Sequence, residues 1–435
     1  MSAIRVVSAV AAGALVAAVT ACTGSTTTVI ENSGASGAGN AAGGHASASA
    51  KPSPAGPVVT ITPGNGASGA DPAKGITVTA AGGTLKSVTV ATAGDPVTGT
   101  YSADHSSWHS TWALNVSRSY TVTATAVKNG GGTSGGATTT KTAAFRTLTP
   151  ASTFSTNIFE GYQQSYGVGM PIILTFSAPV QDKAAVERSI ELRTSKPVVG
   201  SWYWDGNETL DFRPRDYWPA HTTVSFTGHF DGVESAPGVY GYHTLTQTFG
   251  IGDSVIAVAS TQAHKTKIYV NGKLTYDWDI SSGKPGDDTP DGSYLTIEKE
   301  NPVRMIGPGY DLLVPWSVRF TFSGDYYHDA YWSVGEQGFE NVSHGCVNLS
   351  PANSEIYYNL AVPGDPITIQ NSPRSGAWDN GWTEWFLSWP QYLKGSATGE
   401  AVVANSSGSE FVNPSTLPAD TARAPLQTAP PGNAA

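Results

Sequence analysis

Cysteine is almost absent from this sequence. Two residues, Cys22 and Cys346, in a chain of 435 cannot make a disulfide framework, and each needs its own explanation. Charge is scarce too. The 24 Lys and Arg and 34 Asp and Glu amount to 13% of the chain, about half the roughly 25% of an ordinary soluble domain. The net charge of −10 excludes nucleic acid as a partner, because that role calls for a basic face. Beyond the first residues, no apolar run is long enough to span a bilayer. What is abundant is glycine and proline, 49 and 28 residues, with many Ser and Thr. That mixture points to short strands, turns and linkers rather than long helices. Hydrophobic residues at 39% still supply a core, and the length suggests roughly two to four domains at about 100–200 residues each.

The N-terminus reads as a secretory signal, 1–21, with Arg5 ahead of an apolar stretch from Val6 to Val19. Val19-Thr20-Ala21 before Cys22 resembles a bacterial lipobox. That resemblance implies cleavage before Cys22 and diacylation of its thiol, which would anchor the protein to the outer face of the cytoplasmic membrane. The alternative is an ordinary signal peptide cleaved near Ala21. A diacylated terminus anchors firmly where a single chain binds marginally. Residues 22–56 have almost no apolar bulk and read as a flexible tether.

Short alternating strands separated by turn signals then predict a mainly β protein. One Ig-like sandwich is expected over 57–149, from segments such as Ser119 to Ala126, and a second over 150–252. Trp108, Trp112, Trp202 and Trp204 are candidates for glycan contact, with core packing as the favoured alternative. Residues 253–371 form a third, β-rich unit. It contains a hairpin at Asn271-Gly272 and a helix begun by Ser350-Pro351, with Ile356 and Leu360 on one face. The four tryptophans Trp378, Trp382, Trp385 and Trp389 suggest an aromatic flap over 372–398 that packs back on this unit, and 399–435 reads as a disordered tail.

Ser343-His344-Gly345-Cys346-Val347-Asn348 is the most informative stretch, with His328 upstream. An unpaired cysteine near two histidines suggests nucleophilic catalysis, the thiolate attacking and an imidazole taking its proton. Gly345 allows close backbone approach, so amides near it could face an oxyanion. Spacing leaves open whether His344 or His328 is the base. Zinc ligation by His328, His344 and Cys346, with Asp325 or Asp329 as a fourth ligand, is a competing reading that lacks the usual paired spacing.

His328, then 14 residues, then this hexapeptide resembles the signature of the L,D-transpeptidases of the YkuD fold. Ser282-Gly283-Lys284 and Thr289-Pro290-Asp291-Gly292-Ser293-Tyr294 resemble that family's substrate-side segment. Lipobox, tandem Ig-like domains, catalytic domain and Trp-rich flap together are similar to the actinobacterial type. The resemblance implies Cys346 as nucleophile and His328 as general base, oriented by the Asp329 backbone carbonyl. It also implies Gly345 and Cys346 amides, with the Tyr310 hydroxyl, at the oxyanion. His344 and Asn348 would support the loop, Ser343 would hold it by hydrogen bonding, and Tyr326 and Trp332 would wall the donor site with Tyr310, Ser343 and Asn348 on the substrate side. The implied reaction is 3→3 cross-linking of peptidoglycan tetrapeptide stems through a Cys346 thioester, with release of D-Ala and no cofactor. Carbapenem-type β-lactams would acylate the same thiol. Two departures are Asn348, where many relatives outside the actinobacterial group carry Arg, and a short segment between Tyr294 and Tyr310 where relatives have a longer lid. An L,D-carboxypeptidase, or a wall-binding lipoprotein without catalysis, are the other readings.

Overall fold

The computed structural model describes residues 56–129, 136–307 and 309–418. The expected signal peptide, Cys22 with its lipid, the tether up to residue 55 and the last part of the tail lie outside them.

The first sandwich pairs two sheets. One runs in the order Val58–Thr62, Thr77–Ala81, Ser107–Ser110, Gly99–Tyr101; the other is Gly83–Thr92, Ser119–Lys128, Thr138–Arg146. Period-two alternation sends Tyr120, Val122, Ala124 and Ala126 of one strand inward, against Val78, Trp108 and Phe145. The second sandwich sets Ser165–Tyr166, Leu245–Ile251, Thr223–Gly228 and Ile190–Thr194 against a six-stranded sheet. Its core is aromatic, with Trp202, Phe212, Trp218, Phe226 and Phe230 fully buried. Trp108, Trp202 and Trp204 are therefore core residues. Trp112 instead stacks on His229 at 4.0 Å in the junction between the two sandwiches, where the Val116 amide donates to Asp231 Oδ1 at 2.8 Å and the Thr244 hydroxyl to Asp95 Oδ2 at 2.7 Å.

The six-stranded sheet corrects the expected tail. Ala401–Asn405 and Gly408–Val412 form a hairpin that extends it, pairing with Val198–Asp205, and Val402 and Ala404 are buried in its core. The apolar run Ala401 to Ala404 had a sheet edge to complete, about 200 residues upstream, that composition alone does not reveal. The aromatic flap is corrected as well. It bridges to the second sandwich more than to its own unit. Trp385 packs edge-on to Tyr217 at 4.4 Å and donates to the Gly169 carbonyl, and Trp378 meets Tyr203. The buried Arg213 guanidinium sits 4.4 Å from both the Trp385 and Tyr392 rings. Phe386 is the one that packs on the third unit, against Tyr294.

That unit holds two main sheets and a separate two-stranded hairpin. The larger is Lys273–Asp279, Lys265–Val270, Val255–Ser260, Pro366–Gln370, Gly292–Leu295. Asn271 and Gly272 turn its hairpin with positive φ, 49° and 79°. The smaller is Glu298–Glu300, Ser317–Arg319, Tyr326–Asp329, Val347–Leu349. Helix Pro351–Leu360 is capped by Ser350, but it buries Ser354 and Tyr357. Ile356 faces solvent, one residue off the expected stripe, because Tyr357 plugs the core beside Tyr327.

Candidate active site

The site is made by a parallel strand pair. Tyr326–Asp329 runs beside Val347–Leu349, with His328 opposite Asn348. Alternation sends Tyr327, Val347 and Leu349 into the core. Cys346, just before the second strand, joins His328 and Asn348 on the opposite face, in a cavity of about 350 Å³. Its apolar wall is a hairpin, Val303–Gly307 with Tyr310–Val314, from which Met305, Tyr310, Leu312 and Val314 face the cavity. This hairpin is the lid expected to be short. Tyr310 lies just past its turn, so counting to Tyr310 missed the second strand. A bidentate Arg304–Asp311 pair, 2.8 and 2.6 Å, ties its outer side.

His328 is fully buried and its Nδ1 lies 2.8 Å from the Asp329 carbonyl oxygen. A carbonyl only accepts, so Nδ1 carries the proton and Nε2 is free of one. Burial drives the His328 pKa down to about 4, against the weaker upward pull of that hydrogen bond. Burial also pushes the Cys346 thiol up to about 12, with the nearby Asp325 carboxylate adding to the rise. Sγ lies 3.8 Å from the Gly324 carbonyl oxygen, and no hydrogen bond joins it to His328. Both reacting groups thus rest neutral in one cavity. Such bonds often tighten only once substrate is bound.

The loop before Cys346 is closed by Ser343. Its hydroxyl donates to the Cys346 carbonyl at 2.6 Å and accepts the Gly345 amide at 3.1 Å. Here the structure departs from expectation: the Gly345 amide is turned back onto Ser343 and does not face the cavity. Glycine is needed all the same, since φ is +131° and a Cβ would run into Asp325 Oδ1. The segment expected on the substrate side instead buttresses this loop. The Thr289 hydroxyl takes the Gly283 amide at 2.9 Å and donates to the Gly345 carbonyl at 2.7 Å, and the Lys284 amide donates to the Ser343 carbonyl.

Other expected residues divide. Trp332 lines the cavity 5.9 Å from the His328 ring, and Asn348 lines it while its amide donates to Ser333 Oγ at 2.9 Å. His344 does not brace the loop from beneath. It is exposed at the rim, accepting from Lys284 Nζ at 2.9 Å and meeting the Tyr310 ring at 5.2 Å. Tyr326 does not wall the cavity. It is buried with Val303 and Val314 under the lid, its ring 5.7 Å from Arg319, because the apolar underside of the hairpin needs a partner. Sequence reasoning named Asp325 only as a possible metal ligand, not as a charge acting on the thiol, and missed Met305, Leu312 and Glu336 in the wall. None of them stands in the motif. Asp325 alone had a local signal, the polar Thr321, Ser323 and Gly324 around it.

Residues 254–369 match the L,D-transpeptidase catalytic domain, and 67–234 match a bacterial Ig domain. The chain is 32% identical to L,D-transpeptidase 2 of Mycobacterium tuberculosis over 334 residues, which is 74% of this chain and 80% of that protein. It is 40% identical to L,D-transpeptidase 1 of the same organism over 213 residues, 47% of this chain and 79% of the relative. A solved structure of an L,D-transpeptidase in complex with imipenem is 37% identical, spanning 51% of this chain and all of that one, with a TM-score of 0.43.

Proposed function

This chain belongs to the L,D-transpeptidase family, and on that footing we propose that it forms 3→3 cross-links between peptidoglycan stem peptides through an acyl-enzyme on Cys346. The observation that carries the reading is the shared cavity of Cys346 and His328, with Nε2 of the imidazole unprotonated.

The step we propose is as follows. As Cys346 attacks the carbonyl between the third residue and the terminal D-Ala of a tetrapeptide, its proton passes to His328 Nε2. The oxyanion is met by the Cys346 amide and the Tyr310 hydroxyl, since the Gly345 amide is engaged by Ser343. The tetrahedral intermediate collapses, the C–N bond breaks, and D-Ala leaves with the proton from His328. The side-chain amine of a second stem then attacks the thioester, and its proton returns through His328 to the sulfur. Amines attack thioesters much more readily than water does, which suits a transferase. Asp329, through its backbone carbonyl, holds the His328 tautomer. Carbapenem-type β-lactams present a strained carbonyl to the same thiol and would acylate it, as the imipenem complex of the relative suggests for this site. We further propose that the lipobox-like segment before Cys22 anchors the protein at the outer face of the cytoplasmic membrane, with the two sandwiches reaching toward the wall.

The test incubates the protein with a disaccharide–tetrapeptide ending in diaminopimelate–D-Ala and reads products by mass spectrometry, with Cys346→Ala alongside. A cross-linked dimer short of one D-Ala, absent with the variant, is the expected result. Tripeptide without dimer would make the enzyme an L,D-carboxypeptidase, and unchanged substrate would overturn the reading.

A further inference from the structure

Among the residues that wall the cavity, Glu336 supplies the one carboxyl group. It is half-buried, and its side chain has no hydrogen bond or ion pair among the described residues. The carboxylates near Gly345 differ. Asp325 is held by Thr321 and Ser323, and Asp287 by Lys284. The position of Glu336 is built rather than loose. Its own amide donates to the Ser333 carbonyl at 3.2 Å, Ser333 Oγ accepts from Asn348 at 2.9 Å, and two residues on the Gly338 amide donates to the Ile280 carbonyl at 3.0 Å. The turn that carries Glu336 is therefore tied at one end to the strand after Cys346 and at the other to Ile280, just past the edge strand of the larger sheet. At the His344 rim, by contrast, the Lys284 ammonium is already engaged, donating to that ring at 2.9 Å and pairing with Asp287 at 3.3 Å. Between them the lid contributes apolar surface from Met305, Leu312 and Val314. A carboxylate without a protein partner at a partly apolar cavity wall is open to a charge-assisted hydrogen bond from a ligand cation.

We propose that Glu336 binds the side-chain ammonium of the diamino acid in a stem peptide, and so sets which stems the enzyme accepts. The assignment rests on the transpeptidase reading above. The same ammonium chemistry could come from the donor stem or from the acceptor stem, and two arms of one experiment separate them.

Both arms use the full-length protein and its Glu336→Gln and Glu336→Asp variants. The donor arm compares D-Ala release in a single turnover from tetrapeptides whose side-chain amine is free or acetylated. The acceptor arm uses the acetylated donor, which cannot itself accept, and follows the dimer-to-tripeptide ratio as a free-amine tripeptide is added. For a charge-assisted hydrogen bond, Glu336→Gln is expected to lower the free-to-acetylated rate ratio, or the acceptor's dimer-to-tripeptide ratio, by about tenfold, with Glu336→Asp recovering part of it. The arm that moves identifies the stem. If both ratios stay at wild-type values, the assignment is overturned while the transpeptidase reading stands. A wild-type enzyme that releases no D-Ala from either donor overturns that reading and the Glu336 assignment with it.

Discussion

The Asp325 carboxylate lies directly under Gly345, with no room between them for a side chain. Thr321 and Ser323 hydroxyls hold it there at 2.7 and 3.3 Å. After burial, its charge is what opposes thiolate formation at Cys346. Asp325→Asn keeps the shape and removes the charge. Its pH profile for alkylation of Cys346 by iodoacetamide is expected to move to lower pH, with a several-fold gain at neutral pH, on the order of a nearby like charge removed. A profile that stays in place would remove Asp325 from the account of the thiol.

In the wild type, a thiol pushed up to about 12 and an imidazole pulled down to about 4 are both uncharged near pH 7. Alkylation of the free enzyme should therefore climb steadily from pH 6 to pH 9. A plateau beginning near pH 6 would mean a preformed thiolate–imidazolium pair. The same histidine affects stability. Between pH 4 and 6.5 the unfolded chain binds a proton that folded His328 refuses, so stability falls as pH drops through that window. His328→Gln should flatten that part of a melting-temperature profile.

Tyr310 brings its hydroxyl to the cavity from the lid, and its pKa is raised by burial and then by Cys346. Tyr310→Phe leaves the ring against His344 and takes away one donor. We expect an acylation rate constant lower by roughly 10–100-fold, measured by rapid mixing with a carbapenem, and little change in Cys346 alkylation. Equal losses in both assays would point to a collapsed lid instead.

Glu160 is buried within the second sandwich, its Oε1 without a hydrogen-bond partner, and burial raises its pKa from 4.5 to about 8. Between those values the folded protein holds a proton that the unfolded chain releases, so this group makes stability fall as pH rises from 4.5 to 8. Glu160→Gln carries no such proton. Chemical denaturation at pH 8 should find the variant more stable by roughly 2–4 kcal/mol, and the advantage should fade toward pH 4.5. A pH-independent difference would refute the linkage.

The hairpin of Ala401–Asn405 and Gly408–Val412 makes the C-terminal region part of the second sandwich. Val402 is 1% exposed. Val402→Ala should cost about 2 kcal/mol in the same denaturation experiment. Truncation before residue 400 should lower the melting temperature further, since it also removes the Arg188–Glu400 pair and the bond from Leu192 to Ser409. No loss on truncation would mean that the hairpin is not docked in solution.

How much of this was legible follows from what each signal reports. A contiguous run such as Ser343 to Asn348 carries its chemistry in residue identity, and period-two alternation marks strands whatever they pair with. The β-rich class, the sandwiches, the hairpin at Asn271-Gly272 and the cluster around Cys346 could therefore be read from the chain alone. Alternation tells a residue which face it shares, and says nothing about what lies opposite. The parallel register that sets His328 opposite Asn348, the burial of Tyr326 beneath the lid, the return of the Gly345 amide to Ser343 and the docking of Ala401–Asn405 on a strand some 200 residues earlier all depend on contacts between distant segments. So does Glu336, which acquires a role only where the turn that carries it is tied to the strand following Cys346. Those choices belong to the tertiary structure, because they are made by which surfaces meet when the whole core packs.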